Sequence, residues 1–417
     1  MKKSNYRGVC RNHPGRMGGY LLDGVRGKRR RVLQRESGGA DGPGDHRRGS
    51  LYGLAWLCLH YFRGGLGRSL PCMMKFLKTI AAAVILLAAV VSCTSPYADD
   101  PYLRSLKIGE QVISPVDSSD LDMYGYWQPR DVVNTYDGWF VISSSDNDYH
   151  LLFVNPESGE HFYAIRRGRG PGEIVSGANL HKSGDAVRYY DFTRTKCIEL
   201  DIEKSIAARA AVCDTVGDFS KGSRLVYLTS CGREKFVSGC LTDENYWYAL
   251  YDRKGKFLSG VEAIAGLSKD RDRALSAMLS TQYVASPDGR YLCVTNSATP
   301  TISFASVSGD EVHEFKRIQA SFDAEKQAHG RTAKGYFFGG CADDESVYIL
   351  YSGRRITDRE MLPNECSHVL VYDWAGNIRR HYVLSRPVCS ISLTEDGFYA
   401  ASAWPSGKLL RFVTADM

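Results

Sequence analysis

The apolar and aromatic residues after Cys93 are grouped in short runs, and turns rich in Gly, Asp, Asn and Ser separate these runs. Helical spacing of apolar residues is scarce, whereas β-prone residues, Tyr above all, are abundant. This pattern predicts an all-β chain. One unit, an acidic or Gly-containing turn followed by a β-prone run, recurs along the chain. Its copies are "YDGWFVISS", "SGDAVRYYDF", "TDENYWYALY", "SPDGRYLCVT", "DDESVYILYS" and "TEDGFYAASA".

These copies repeat at a nearly constant distance. The spacings are 48, 59, 45, 56 and 51 residues between the anchors Trp139, Val187, Tyr246, Tyr291, Val347 and Phe398. A second unit, two strands joined by a tight turn, lies between them, as in "LLFVNPESGEHFYAI" and "VLVYDWAGNIRRHYVL". Four-stranded repeats of ~40–50 residues are typical of β-propellers.

The sequence therefore predicts that residues 106–417 form a six-bladed β-propeller, with four-stranded antiparallel blades around a central channel. A two-sheet sandwich is the structural alternative, but it does not require the repeat. The C-terminal "GKLLRFVTADM" supplies one strand where a hairpin is due. We therefore expect residues after Cys93 to complete the last blade, which closes the ring and removes its exposed edges.

Residues 1–73 differ from the rest of the chain in charge. They contain 15 basic and 4 acidic residues, whereas the remainder carries 38 basic and 43 acidic residues. A basic tail that binds nucleic acid is one interpretation. A disordered Arg/Gly-rich extension and a mis-assigned start codon are the others, and the segment that follows favours the mis-assigned start. The acidic balance of the remainder argues against nucleic acid as a partner.

Residues 74–92, "MKFLKTIAAAVILLAAVVS", have the pattern of a secretion signal. Two lysines precede the apolar run Ile80–Val91, which is shorter than the ~20 residues of a membrane-spanning helix. The segment ends at Cys93, and "VVSC" resembles the lipobox of bacterial lipoproteins, in which this cysteine is lipidated. We therefore expect a lipid on Cys93 to make the membrane a partner, with residues 93–105 as a linker. Thr94 at the second mature position favours the outer membrane, by analogy with other lipoproteins.

Eight further cysteines follow Cys93, and none lies in a Cys-x-x-Cys motif, which argues against zinc. Most fall in predicted strands, where buried free thiols are the simplest interpretation. An exported chain can also form disulfides. A bridge between Cys231 and Cys240, which flank a short segment, is therefore the alternative.

Three stretches in this order resemble a known family. They are "GRGPGEI" (Gly168–Ile174), "YSGR" (Tyr351–Arg354) and "YDWAGN" (Tyr372–Asn377). Together with the lipobox, they resemble the Bacteroidales six-bladed β-propeller lipoproteins of the TolB-like propeller group. The resemblance covers most of residues 93–417 and none of residues 1–73. It implies a propeller fold and a lipid anchor but no reaction, because the family has no generally established catalytic residues.

The sequence shows no GxSxG, HExxH or P-loop motif. We therefore assign no catalytic residue, no metal ligand and no cofactor, and we interpret "SSDNDYH" (Ser144–His150) as a solvated turn rather than a calcium site. The concave end of the channel is the expected binding site. Arginine suits carboxylates and phosphates, and Trp suits sugar faces and peptide side chains. The candidate lining residues are Arg166, Arg167, Arg169, Glu173, Arg354, Arg355 and Trp374.

Binding is thus the favoured function: a lipid-anchored protein of the bacterial cell envelope that recognises a glycan, a peptide or an envelope protein. One alternative is a lyase or hydrolase that uses ionisable residues converging at the channel mouth. Another is an accessory subunit of an outer-membrane complex, which requires a large exposed apolar patch. The stretch "RRGRGPGE" (Arg166–Glu173) is interpreted mainly as the crossing between two blades, with Arg169 and Glu173 pairing across them.

Overall fold

The computed structural model describes residues 100–144, 147–220, 225–240, 246–262, 280–322, 333–355, 364–403 and 405–414. This part of the chain is mostly β-strand. It also contains helix α1 (Pro101–Ser105), helix α2 (Ile202–Ala208) and a turn of 3₁₀ helix at Leu121–Tyr124. The predicted extension, signal segment and lipidation site at Cys93 lie outside the described residues.

The strands of the described residues form six sheets, each of which is one blade. Blade 1 contains β3 (Pro129–Asn134), β4 (Phe140–Ser144), β5 (Tyr149–Val154) and β6 (His161–Arg166). Blade 2 contains β7 (Gly177–Ser183), β8 (Ala186–Asp191), β9 (Lys196–Leu200) and β10 (Cys213–Asp218). Blade 3 contains β11 (Leu225–Cys231), β12 (Lys235–Cys240), β13 (Tyr246–Asp252) and β14 (Phe257–Glu262).

Blade 4 contains β15 (Thr281–Ala285), β16 (Tyr291–Asn296), β17 (Thr301–Ser308) and β18 (Glu311–Gln319). Blade 5 contains β19 (Phe337–Ala342), β20 (Ser346–Tyr351), β21 (Cys366–Asp373), β22 (Ile378–Val388) and the added strand β1 (Glu110–Ile113). Blade 6 contains β23 (Ser390–Thr394), β24 (Gly397–Ser402), β25 (Lys408–Val413) and β2 (Asp117–Asp120). The predicted six-bladed β-propeller is confirmed.

The innermost strands close the ring. The strands β3, β7, β11, β15, β19 and β23 pack side by side in this order, and β23 returns to β3. Because successive strands of a blade alternate in direction, the loops fall at two ends of the ring. The crossing end carries the passages between blades and the loops between second and third strands. The hairpin end carries the remaining turns of each blade.

The core lies between neighbouring blades rather than in the channel. All five residues of β4 are buried, and so are the first seven residues of β21. Such strands do not alternate between apolar and polar residues, because a neighbouring blade covers each face. Between blades 4 and 5, for example, Phe304, Phe337 and Tyr351 belong to one buried cluster.

The inner edges of the innermost strands have no strand partner. Polar side chains form hydrogen bonds with main-chain groups at these edges. Each side chain reaches the main chain of a neighbouring blade, which matters because an unpaired buried peptide group is costly. These bonds are Val132 N–H to Ser390 Oγ (3.0 Å), Leu180 N–H to Asp131 Oδ2 (3.2 Å), Asn179 Nδ2–H to Leu228 O (2.5 Å) and Thr229 Oγ1–H to Tyr283 O (3.4 Å).

Blade 6 is completed by the chain that precedes blade 1. Strand β2 pairs antiparallel with β25, with Asp117 opposite Arg411 and Asp120 opposite Lys408. The expectation that residues after Cys93 close the ring is therefore confirmed. Strand β1 pairs in parallel with β22 and covers the outer edge of blade 5.

The N-terminal helix also belongs to the propeller. The Asp100 carboxylate accepts hydrogen bonds from the main-chain N–H of Tyr102 (2.9 Å) and from the Tyr351 hydroxyl (2.7 Å). Tyr102 is buried and stacks on Tyr351 with ring centroids 5.3 Å apart. Residues 100–105 therefore pack into the junction of blades 4 and 5, whereas the sequence predicts a linker over residues 93–105.

The alternative of a disulfide between Cys231 and Cys240 is wrong. Cys231 pairs with Lys235 beside the turn of its hairpin, whereas Cys240 pairs with Leu225 at the far end. Five residues of extended strand separate these positions by ~17 Å, and a disulfide tolerates a Cα–Cα distance of at most ~7 Å. Free thiols are described at Cys197, Cys213, Cys231, Cys293, Cys341, Cys366 and Cys389.

Candidate functional site

The stretch Arg166–Glu173 begins the crossing from blade 1 to blade 2. Arg166 is exposed at the end of the outer strand, and its main-chain oxygen accepts a bond of 3.1 Å from the N–H of Ile174. Glu173 Oε2 accepts a bond of 2.7 Å from the N–H of Gly170. Glu173 thus caps its own loop, and the exposed Arg169 forms no ion pair with it in the described residues. Their predicted pairing across blades is wrong.

Two residues of blade 2 hold this crossing in place. Arg194 Nη1 donates a bond of 3.0 Å to the main-chain oxygen of Glu173. The buried Asp191 carboxylate accepts bonds from the N–H groups of Val175 (3.3 Å) and Ser176 (3.4 Å). The crossing is therefore a joint between two blades, as interpreted from the sequence, but Arg194 and Asp191 make the contacts.

Arg167 lies against the loop between the second and third strands of blade 1. Its Nε donates a bond of 3.2 Å to the main-chain oxygen of Asn147. Nearby, His150 is buried, with Nε2 2.9 Å from the main-chain oxygen of Ile174. Burial, and secondarily the charge of Arg167, lower the pKa of His150. The imidazole is therefore neutral at pH 7 and serves packing.

Arg354 and Arg355 lie at the crossing end too, but in blade 5. The main-chain oxygen of Arg354 accepts a bond of 2.8 Å from the N–H of Gly335, and Arg355 forms a β-bridge with Lys334. Blade 6 separates blade 5 from blade 1 in the ring. The structure therefore places the predicted arginines at separate blade junctions.

Trp374 lies at the opposite end of the ring from these arginines. It occupies the hairpin between β21 and β22, where its side chain is 8% exposed. Its Nε1–H donates a bond of 3.3 Å to the main-chain oxygen of Asp343, and its ring stacks on Tyr291 with centroids 5.9 Å apart. Its predicted place at a common channel mouth with the arginines is wrong, because third-to-fourth-strand turns fall at the hairpin end.

Trp374 instead lines a cleft of about 810 Å³ at the hairpin end, between blades 4 and 5. The walls combine aromatic rings with charges of both signs. The lining residues are Tyr291, Phe315, Asp344, Glu345, Ser346, Asp373, Trp374, Ala375, Arg379 and Arg380. An open pocket that joins apolar and charged groups can bind and orient a ligand.

Two β-bulges shape the walls of this cleft. Phe304 pairs with Lys316 and Ala305 with Glu314, so Phe315 is an extra residue in β18. Lys316 Nζ donates a bond of 2.7 Å to the Gly376 oxygen of blade 5, while Phe315 also faces the cleft. The bulge therefore turns two consecutive side chains towards blade 5, which a regular strand does not allow.

The second bulge lies in the facing strand β22. Val371 pairs with Arg380 and Tyr372 with Ile378, so Arg379 is the extra residue there. Two consecutive arginines, Arg379 and Arg380, consequently line the cleft. Bulges are common beside functional sites because they redirect single side chains.

One ion pair crosses the blade 5 side of the cleft. Arg379 Nη2 lies 2.6 Å from Asp373 Oδ2. Burial acts to raise the pKa of Asp373, but hydrogen bonds from Asn377 and Arg379 outweigh it and lower that pKa. The Asp373 carboxylate is therefore charged at neutral pH and forms an ion pair with the Arg379 guanidinium. Arg380, the next residue, has no such partner in the described residues.

Four residues that line the cleft were not among the residues predicted from the sequence: Tyr291, Phe315, Arg379 and Arg380. The two arginines follow "YDWAGN" after one intervening residue, Ile378, so the hairpin motif was a usable signal for them. Phe315 carried no signal, because an alternating strand pattern does not reveal a bulge.

Two absences apply to the described part of the chain. No group of three His, Cys, Asp or Glu side chains there could hold a metal ion. In the same ranges, no helix is long and apolar enough to span a membrane.

The profile of a family described as TolB-like 6-blade propeller-like matches residues 129–396. No match is found among curated proteins. Similar solved structures include a luciferin-regenerating enzyme, with 11% identity and a TM-score of 0.44, over 72% of this chain and 96% of that one. A protein of Bacteroides fragilis described as exported has 11% identity and a TM-score of 0.41, over 74% and 100%. Similarities of this size carry no information on ligand or activity.

Proposed function

The chain belongs to the TolB-like six-bladed propeller family, and we propose that it acts by binding, as a lipid-anchored recognition module of the bacterial cell envelope. The cleft between blades 4 and 5 is the observation that carries this proposal. Its walls offer the half-exposed ring of Phe315, the stacked pair of Tyr291 and Trp374, and charges of both signs. Such a surface suits a peptide or a glycan.

The proposed anchor is a lipid on Cys93, after removal of the signal segment 74–92, and the proposed location is the outer membrane. Six residues lie between Cys93 and Asp100, and the seven Cα–Cα steps from one to the other span at most ~25 Å. Asp100 is held at the crossing end, where its carboxylate meets Tyr351. The crossing end would then face the membrane, and the cleft at the hairpin end would face away from it.

The alternative of a lyase or hydrolase at the channel mouth gains no support from the candidate arginines. It requires ionisable groups that converge at one end of the channel. Arg167 is engaged with the loop of blade 1, and Arg354 lies at another junction in blade 5.

A photocrosslinking experiment in the native envelope tests the binding function. The photoreactive residue p-benzoylphenylalanine replaces either Phe315 in the cleft or Phe192, an exposed phenylalanine at the crossing end. We expect a discrete adduct at position 315 that is absent at position 192 and is lost when Tyr291→Ser is added. Identical adducts at both positions, or none at position 315, would contradict a binding function of the cleft.

A further inference from the structure

Arg380 is a half-buried cation without a partner among the described residues. It lines the cleft, and its guanidinium forms no hydrogen bond or ion pair with the described residues. Its neighbour Arg379 is occupied by Asp373 at 2.6 Å. A guanidinium has five N–H donors in a planar fork that matches a carboxylate. Arg380 therefore offers the cleft a ready site for an anionic group.

The blade 4 wall offers an apolar surface to the same ligand. Phe315 is 49% exposed on the bulge of β18, and Tyr291 is partly exposed where it stacks on Trp374. Covering large rings that are in contact with water by an apolar group lowers the free energy. The cleft thus places an apolar contact and an anion contact within one pocket of about 810 Å³.

Acidic groups on the rim restrict the kind of anion that can enter. Asp344 and Glu345 are exposed at the hairpin between β19 and β20, and no ion pair engages either carboxylate in the described residues. Their charges repel a ligand that is negative along its whole length, such as a polyuronate or a nucleic acid. They favour a ligand that has one anionic end and donates N–H groups elsewhere.

We propose that the cleft binds the C-terminal end of a peptide. The terminal carboxylate binds Arg380, the last side chain is apolar and packs on Phe315, and the preceding N–H groups face Asp344 and Glu345. Carboxylate and side chain belong to one residue, so both fit in one pocket. This inference rests on the proposed binding function and names its ligand class.

Fluorescence anisotropy with the full-length protein tests the inference. The probe is a fluorescein-labelled glycine-rich tetrapeptide that ends in phenylalanine, as the free acid or as the C-terminal amide. We expect the free acid to bind at least about tenfold more tightly than the amide, because a charge-assisted bond to arginine is lost in the amide. Arg380→Gln should abolish this preference, and Phe315→Ser should weaken both probes.

Matched variants and a sugar probe separate the possible outcomes. Arg386→Gln changes an exposed arginine of the same strand outside the cleft and should leave binding unchanged. Equal binding of acid and amide overturns the inference. If a neutral or acidic trisaccharide binds instead and Phe315→Ser removes that binding, the inference fails while the binding function stands. If no probe binds, both fail.

Discussion

Arg194 in blade 2 donates a hydrogen bond of 3.0 Å to the main-chain oxygen of Glu173 in the crossing from blade 1. Arg194 is partly buried, and its second terminal nitrogen reaches the oxygen of Gly170 at 3.4 Å. The arginine therefore fastens the glycine-rich stretch to the next blade. A charged donor on a partly buried carbonyl is worth more than an ordinary hydrogen bond.

Arg194→Ala should lower the free energy of unfolding by about 1–2 kcal/mol, because it leaves loop carbonyls without their charged donor. Urea unfolding followed by fluorescence measures the change. Arg169→Ala is the matched control, since Arg169 is exposed in the same loop and should change stability by less than about 0.5 kcal/mol. Equal effects of the two changes would show that Arg194 does not fasten the crossing.

Gly168→Ala should destabilise the protein by about 1 kcal/mol, because its new Cβ would lie 2.0 Å from Glu173 Oε2, so this carboxylate must move and lose its hydrogen bond from the Gly170 N–H. The shift in the urea midpoint measures this cost. Combining it with Glu173→Ala removes the clashing carboxylate, so the double variant should be less destabilised than the sum of the two single changes predicts. Gly109→Ala, where nothing lies within 4 Å of the new Cβ, is the control.

The repeat was sufficient to predict the propeller, because Val187, Tyr291 and Phe398 each mark the second strand of a blade. The same repeat implies that strands alternate in direction, so it could have placed Trp374 at the hairpin end, away from Arg354. The bulge at Phe315 could not be predicted, since it depends on how β18 pairs with β17. The cleft could therefore not be predicted from the sequence, because the bulges that shape its walls are visible only in the strand pairing.

Asp100→Ala should lower the free energy of unfolding by about 2–3 kcal/mol. The change removes the N-cap of helix α1 and leaves the buried Tyr351 hydroxyl without its acceptor. Chemical unfolding measures the loss. Asp185→Ala, at an exposed position, should have little effect. If the two variants are equally stable, residues 100–105 do not contribute to the fold.

His181 should make the protein sensitive to acid. Its Nε2 accepts a bond of 3.1 Å from the N–H of Ser230, and its Nδ1 lies 3.1 Å from the Asn179 oxygen. The neutral ring satisfies both contacts, whereas a proton on Nε2 breaks the first. Burial lowers the pKa of His181 to about 4. The hydrogen bond to Asn179 opposes this shift, whereas the positive charge of Arg188 adds to it.

The unfolded chain, with a histidine pKa near ~6.5, therefore takes up the proton first. The contribution of His181 is complete above pH ~6.5 and falls as the pH drops towards ~4, by up to about 3 kcal/mol. Urea midpoints between pH 7.5 and 4.5 measure the loss. His181→Gln should reduce the dependence on pH in this window. An unchanged profile for His181→Gln would exclude this origin.

Cys93 should carry the lipid that anchors the protein. Cells grown with a radioactive fatty acid should label the wild type and Cys213→Ala, a control at an exposed cysteine, but not Cys93→Ala. Equal labelling of the wild type and Cys93→Ala would show that the anchor is not there.

The position of Asp100 at the crossing end also predicts how the anchored protein is oriented. The six residues between Cys93 and Asp100 allow a reach of at most ~25 Å, which keeps this end near the bilayer. A fluorophore on Phe192→Cys, at the crossing end, should be quenched by lipids with spin-labelled headgroups more strongly than one on Phe315→Cys. Quenching that is equal or reversed, in protein that is lipidated, would mean that the linker does not leave the ring towards the membrane. Protein without lipid should show no quenching at either position, which separates the orientation from the anchor itself.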